Sequence, residues 1–281
     1  MLTDRTIHCS AGAIRITESD GDGMPILMIH GTGSCRAVFG KQLESPLADQ
    51  HRLIAVDLPG HGESENAADP ATYALRNMAK TMTELVARLR LDRFMIMGWS
   101  LGGHIAIEMI EHEGLAGLMA CGTPPVARGP LAMLRAFRPS WDMPLASKED
   151  YSDRDVARFF SLVYGHGATP ELLAAIRRAD GRVRSATMRA MMRGDFSDQK
   201  LAVERSPVPV ALVNGREEPL IRLAYLDSFA GPTLWHGLPI VIEEAGHACF
   251  WDQPEVFNEL LTAFAADAAL PHQTLPIRAS A

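Results

Sequence analysis

Several absences narrow the field. Cysteine is scarce: four in 281 residues, at positions 9, 35, 121 and 249, with no C-x-x-C pair and no metal-binding spacing. Such scattered residues read as free thiols in a reducing cytoplasm. No apolar run approaches the roughly 20 residues that cross a bilayer. The opening Met1-Leu2-Thr3-Asp4-Arg5 has no basic segment leading into an apolar one, so neither a membrane span nor a secretory leader is expected. Positive charge is in deficit, with a net charge of −7, which argues against a nucleic-acid partner. No H-E-x-x-H or H-x-H-x-D-H occurs, the one Gly-Lys pair (Gly40-Lys41) is no phosphate loop, and no dinucleotide fingerprint follows the first buried strand. Neither a metal nor a cofactor is expected, and no internal repeat is visible.

What remains is an ordinary globular composition, 47% hydrophobic and 22% charged, long enough for one large α/β domain or a core with an insertion. Thr6–Cys9 and Ala13–Thr17 read as an antiparallel edge hairpin. Apolar runs at 25–29, 52–56, 94–98 and 115–121 read as strands buried on both faces. Between them, residues 72–90 carry an apolar stripe (Leu75, Met78, Ala79, Met82, Leu85, Val86, Leu89) at helical spacing. Strand alternating with helix predicts a mostly parallel, eight-stranded sheet flanked by helices. From about 126 to 206 strand-like runs vanish, and helical segments appear near 153–164, 170–179 and 181–193. Strands resume at 208–213 and 238–242, and 254–266 is the last helix. The expected organisation is core at 1–125, a helical cap at 126–206, core again at 207–270 and a loose tail at 271–281.

The most informative stretch is Phe94–Ile110. A buried strand stops at Gly98, and an amphipathic helix starts right after Ser100. Gly98-Trp99-Ser100-Leu101-Gly102 matches G-x-S-x-G, the nucleophile elbow of α/β-hydrolases, whose tight strand-to-helix turn leaves no room for a Cβ at either glycine. Sites in such sheets form beyond the carboxyl ends of the strands. Four loops fall there: His30–Ser34, the Ser100 turn, Glu217–Glu218 and the loop carrying His247. Their order is serine, acid, histidine. Ser100 is the expected nucleophile, His247 its base, and the acid is Glu218 or Glu217, with Glu218 favoured because it directly precedes Pro219. The backbone N–H groups of Leu101 and Thr32 would hold the oxyanion. His30, Gly31, Trp99, Phe159, Tyr164 and Met192 are candidate substrate contacts, and Trp141, Phe160, Met188 and Met191 could join an apolar acyl pocket. Asp57 and His61 read as a structural turn, and His104 as a packed core histidine. The cap arginines, Arg177, Arg178, Arg182, Arg184, Arg189 and Arg193, read as a solvated face or as a steering patch for an anionic substrate.

Several segments resemble a narrower family. They are Leu27-Met28-Ile29-His30-Gly31, Asp57-Leu58-Pro59-Gly60-His61-Gly62, Gly98-Trp99-Ser100-Leu101-Gly102-Gly103-His104-Ile105, Gly122-Thr123-Pro124-Pro125-Val126-Ala127-Arg128, Val213-Asn214-Gly215-Arg216-Glu217-Glu218-Pro219 and Ala245-Gly246-His247-Ala248. Together they are similar to the metal-independent N-acyl-homoserine lactonases of the AidH type, within the α/β-hydrolase superfamily. The resemblance implies an α/β-hydrolase fold with an inserted helical cap and a Ser–His–Glu triad. It also implies opening of an N-acyl-homoserine lactone ring, which would quench quorum signals. Two positions depart from it. Thr32 stands where that family resembles asparagine, and Phe159 stands where a cap tyrosine assists lactone binding. The partner expected is a small apolar ester or lactone. A carboxylesterase or carbon–carbon bond hydrolase using the same triad is the alternative enzyme, and a ligand receptor with little turnover the non-enzymatic one.

Overall fold

Unbroken apolar runs, buried on both faces, fix the centre of the sheet. In the computed structural model, which describes residues 1–129, 131–165 and 169–270, all eight expected strands form. They are β1 (Leu2–Cys9), β2 (Gly12–Ser19), β3 (Gly23–Ile29), β4 (His51–Val56), β5 (Phe94–Trp99), β6 (Leu115–Cys121), β7 (Val210–Gly215) and β8 (Ile240–Ile242). Their order is β1-β2-β4-β3-β5-β6-β7-β8. The β1–β2 and β2–β4 pairs are antiparallel and every other pair is parallel, as in Met28 beside Met97 and Met97 beside Met119. The edge hairpin extends further on both strands than its apolar residues predicted. On β1, alternate polar residues such as Asp4 and Thr6 remain exposed, so pairing with β2 rather than burial sets its length. The last strand is shorter than expected, because Leu238 is exposed and only Ile240–Ile242 pairs with β7.

Helices longer than four residues are α1 (Leu75–Arg88), α2 (Leu101–Glu108), α3 (Ala132–Ala136), α4 (Asp153–Tyr164), α5 (Pro170–Arg178), α6 (Arg182–Arg193), α7 (Gln199–Glu204) and α8 (Pro254–Ala269). Helices α3 to α7 all lie between β6 and β7 in the chain. The tail expected at 271–281 lies outside the described residues. Among the described residues no helix is long and apolar enough to cross a membrane.

Because side chains alternate across a strand, each central strand feeds two cores. Leu27, Ile29, Ile54, Ile96 and Leu118 pack with the stripe of α1 and with Leu101 and Ile105 of α2. Ile26, Met28, Leu53, Met95, Met97 and Met119 face the other way, onto Trp99, Phe250, Phe257, Leu261 and Phe264. Each such fully buried side chain is worth roughly 1.5–3 kcal/mol relative to exposure. Two-sided burial holds the parallel strands in register, and with them the loops at their carboxyl ends.

The candidate active site

The β5–α2 turn is forced by crowding. A Cβ at Gly98 would lie 2.5 Å from the carbonyl oxygen of Gly102, and one at Gly102 only 2.0 Å from that of Ile29. With both neighbours stripped, Ser100 takes φ 53° and ψ −116°, a conformation costing on the order of 1–3 kcal/mol for a side-chain-bearing residue. Its carbonyl is held by the N–H groups of Gly103 (3.0 Å) and His104 (3.1 Å), and its own N–H donates to Cys121 O on β6 (2.9 Å). The half-buried side chain is thereby presented above the sheet. Leu101 opens α2, so its N–H has no intrahelical acceptor, and the residue borders the same space.

The loop after β3 closes against this turn. A Cβ on Gly31 would sit 3.1 Å from Ser100 Cβ, so Gly31 brings Thr32 alongside the nucleophile. Beneath lies a brace of buried polar groups. His61 Nε2 accepts from Gly33 N–H (3.1 Å), and its Nδ1–H donates to Pro59 O (3.1 Å). Asp57 accepts from the N–H groups of Arg36 (2.6 Å) and Glu63 (2.9 Å) and pairs with the Arg36 guanidinium. Asp57 and His61 therefore shape the loop and stand apart from the reacting space, as their sequence suggested.

On the far side, His247 is 4% exposed and Glu218 is fully buried. His247 Nδ1 donates to Glu218 Oε2 at 2.8 Å, while Glu218 Oε1 accepts from Leu220 N–H (2.7 Å) and Ile221 N–H (3.3 Å). Of the two adjacent glutamates it is Glu218 that meets the imidazole. Glu217 is exposed, and its N–H donates to Ala245 O (2.8 Å). Trp99 Nε1–H donates to His247 O (2.9 Å), which pins the histidine loop to the end of β5. Among the described residues, Ser100 Oγ makes no hydrogen bond in this conformation. Nucleophile–base contacts of this kind often tighten only around substrate.

Ser100, Leu101, Gly31, Thr32, Trp99 and His247 all open onto one mostly apolar cavity of about 150 Å³. That is below the roughly 300–1,000 Å³ of pockets for drug-sized ligands. Most of its remaining wall comes from the helical segment, with Phe137, Phe159, Val163, Met188 and Met191 among the contributors. A larger cleft of about 850 Å³ adjoins it at Val163 and His247.

Three expected substrate contacts do not reach the cavity. His30 is fully buried, with Leu58 N–H donating to its Nε2 (3.1 Å) and its own Nδ1–H turned to Gly31 O (2.7 Å), so it supports the loop from below. Tyr164 gives its hydroxyl to Ser34 Oγ (2.8 Å) and borders the outer cleft instead. Met192 is 79% exposed, one helical step off the face that carries Met188 and Met191. Of the other apolar candidates, Trp141 is exposed and Phe160 packs on Tyr164.

Sequence reading missed several cavity residues, His104 and Arg184 among them. His104 is buried and hydrogen-bonded as expected, yet its ring also forms part of the wall. Its spacing, four residues after Ser100 on one helix, was the available signal. Arg184 was read with the solvated arginines. It is instead 3% exposed, donates to the carbonyls of Lys148 and Glu149 (both 2.6 Å), and lies 3.8 Å over the Tyr151 ring. Arg177 and Arg182 are spent on Asp153 and Asp180. Among the described residues, no three histidine, cysteine or carboxylate side chains are grouped to share a metal ion.

A family model described as the alpha/beta hydrolase family matches residues 26–260. A pimeloyl-acyl-carrier-protein methyl ester esterase of Nitrosomonas europaea is 29% identical over 255 residues, covering 85% of this chain and 95% of that protein. The crystal structure of a glutamate-to-glycine mutant of N-acyl homoserine lactonase AidH complexed with N-hexanoyl homoserine superposes with a TM-score of 0.93 at 38% identity, covering 97% of this chain and 99% of that one. The same lactonase complexed with N-butanoyl homoserine gives 0.92 at 39% identity, covering 96% and 99%. Match, sheet order and serine turn agree along most of the length, and the chain belongs to the alpha/beta hydrolase family.

Proposed function

We propose that this hydrolase opens the ring of N-acyl homoserine lactones through an acyl-enzyme. The observation that carries the reading is the buried Glu218–His247 hydrogen bond (2.8 Å), set beside a small, mostly apolar cavity that Ser100, Leu101 and Thr32 also line. Likeness to AidH, described as an N-acyl homoserine lactonase, supports the choice of substrate.

Ser100 Oγ attacks the lactone carbonyl carbon while His247 Nε2 takes its proton. Glu218 keeps Nδ1 protonated and stabilises the imidazolium that forms. The carbonyl oxygen becomes an oxyanion held by Leu101 and Thr32 N–H, each such donor being worth roughly 3–4 kcal/mol in the transition state. The ring C–O bond breaks, His247 returns the proton to the departing alkoxide, and the acyl group remains as an ester on Ser100. Water, deprotonated by the same histidine, attacks that ester and releases N-acyl homoserine. In this scheme the segment 126–206 acts as a cap whose Phe159, Met188 and Met191 hold the acyl chain.

A second reading, a simple carboxylesterase, is favoured by Phe159, which places a hydroxyl-free ring against the oxyanion loop. Comparing kcat/KM for N-hexanoyl homoserine lactone with that for p-nitrophenyl butyrate decides between them. Lactone turnover supports the first reading. Ester turnover with none on the lactone replaces it with the second.

A further inference from the structure

We infer that His104 is a specificity residue, whose Nε2 accepts a hydrogen bond from a substrate N–H placed one carbon away from the scissile carbonyl. The inference rests on the hydrolase reading above and adds the chemical group that the cavity recognises. Ser100, His104 and Glu108 stand at steps of four along the start and body of α2, so they share one face. Side chains four apart on a helix have Cβ atoms about 5–6 Å apart. His104 N–H donates to Ser100 O at 3.1 Å, which holds that turn in place. The His104 ring thus sits beside the nucleophile, on the wall of the same cavity.

The tautomer of this ring follows from the groups behind it. Gln199 is fully buried, and its Nε2 donates to Glu108 Oε1 (3.0 Å) and to His104 O (3.1 Å). Both are acceptors only, so the amide cannot be reversed. Gln199 Oε1 must therefore face His104 Nδ1, 2.7 Å away, and Nδ1 carries the proton. Glu108 is itself held by Ser197 N–H (3.1 Å) and Ser197 Oγ–H (2.8 Å), with Arg76 at 3.7 Å. Nε2 is left as a bare lone pair, and among the described residues it has no partner. Burial pushes the imidazole below its ordinary range, so it stays neutral and accepting.

A neutral acceptor in a mostly apolar pocket selects for a donor. In an N-acyl homoserine lactone the sole N–H is the amide, on the carbon next to the lactone carbonyl, within reach of a ring one helical turn from Ser100. The same pattern occurs in esters of N-acyl amino acids. A substrate lacking that N–H would leave this lone pair facing apolar carbon, with no bond gained.

The test uses two substrates of matched length, N-hexanoylglycine methyl ester and methyl nonanoate, with wild type, His104→Leu and His104→Gln. The readout is the ratio of kcat/KM values, amide over amide-free. Wild type should prefer the amide by about tenfold. Leucine should collapse the ratio towards one, and glutamine, whose N–H can serve Gln199 while its oxygen faces the substrate, should restore it. A wild-type preference for methyl nonanoate overturns the inference, and so does a leucine variant that slows both esters equally. Wild type alone keeps the inference falsifiable if the leucine variant does not fold. Because neither ester is a lactone, the ratio stands or falls separately from ring opening.

Discussion

Replacing Glu218 by glutamine tests how the acid works. Glu218 Oε1 is held by Leu220 N–H (2.7 Å) and Ile221 N–H (3.3 Å), and these donors would capture the amide oxygen of the substitute. Its NH₂ group would then face His247 Nδ1, where Oε2 now accepts at 2.8 Å. Two N–H groups cannot face each other, so the imidazole must move its proton to Nε2. It is then a donor towards Ser100 and cannot take the serine proton. Fixing the wrong tautomer in such a triad costs about 10⁴ in kcat, equivalent to roughly 5.4 kcal/mol at 1.36 kcal/mol per decade. Side-chain volume and both backbone bonds are kept, so the thermal midpoint should move little. Hydrolysis of a p-nitrophenyl ester and a thermal melt measure the two effects. Glu217→Gln is the control, since that side chain is exposed and should leave kcat within about twofold. A Glu218→Gln enzyme within tenfold of wild type, or an equal loss in Glu217→Gln, would refute the reasoning.

Three further predictions concern the scaffold. Burial lowers the pKa of His30, His61 and His104 below their ordinary 6.5, so the unfolded chain binds more protons below that pH and stability must fall on acidification. Each histidine contributes up to about 1.4 kcal/mol per pH unit, and a urea midpoint that stays flat between about pH 7 and about pH 5 would contradict this. Gly102→Ala puts a Cβ 2.0 Å from Ile29 O and should cost about 2 kcal/mol or more, whereas Gly40→Ala meets nothing within 4 Å and should be neutral or mildly stabilising in a melt. Tyr164→Phe removes the donor to fully buried Ser34 Oγ, so the thermal midpoint should drop by an amount matching roughly 1–2 kcal/mol while KM stays within about twofold.

Much of the fold was legible because burial leaves a periodic trace. The apolar stripe from Leu75 to Leu89 gave α1, and unbroken runs such as Leu27–Ile29 gave strands covered on both faces. The serine turn was legible because only glycine fits beside Ile29 O and Gly102 O. The cavity wall was harder to read. Arg184, Thr187, Met188 and Met191 lie at i, i+3, i+4 and i+7 of α6 and all face the cavity. The arginine and threonine disguise that stripe as polar, and nothing local separates Met191 from exposed Met192. The placement of His30 was equally hidden. Its ring is fixed by the N–H of Leu58, 28 residues away, a contact with no local signature. Gln199, which orients His104 across 95 residues, is invisible for the same reason.

The most direct measurement is ring opening of N-hexanoyl homoserine lactone in EDTA by wild type and Ser100→Ala, followed by loss of the lactone. The account predicts turnover by the wild type and a rate lower by about 10⁴ or more in the variant. Near-normal turnover by Ser100→Ala, or an intact lactone with the wild type, would contradict it.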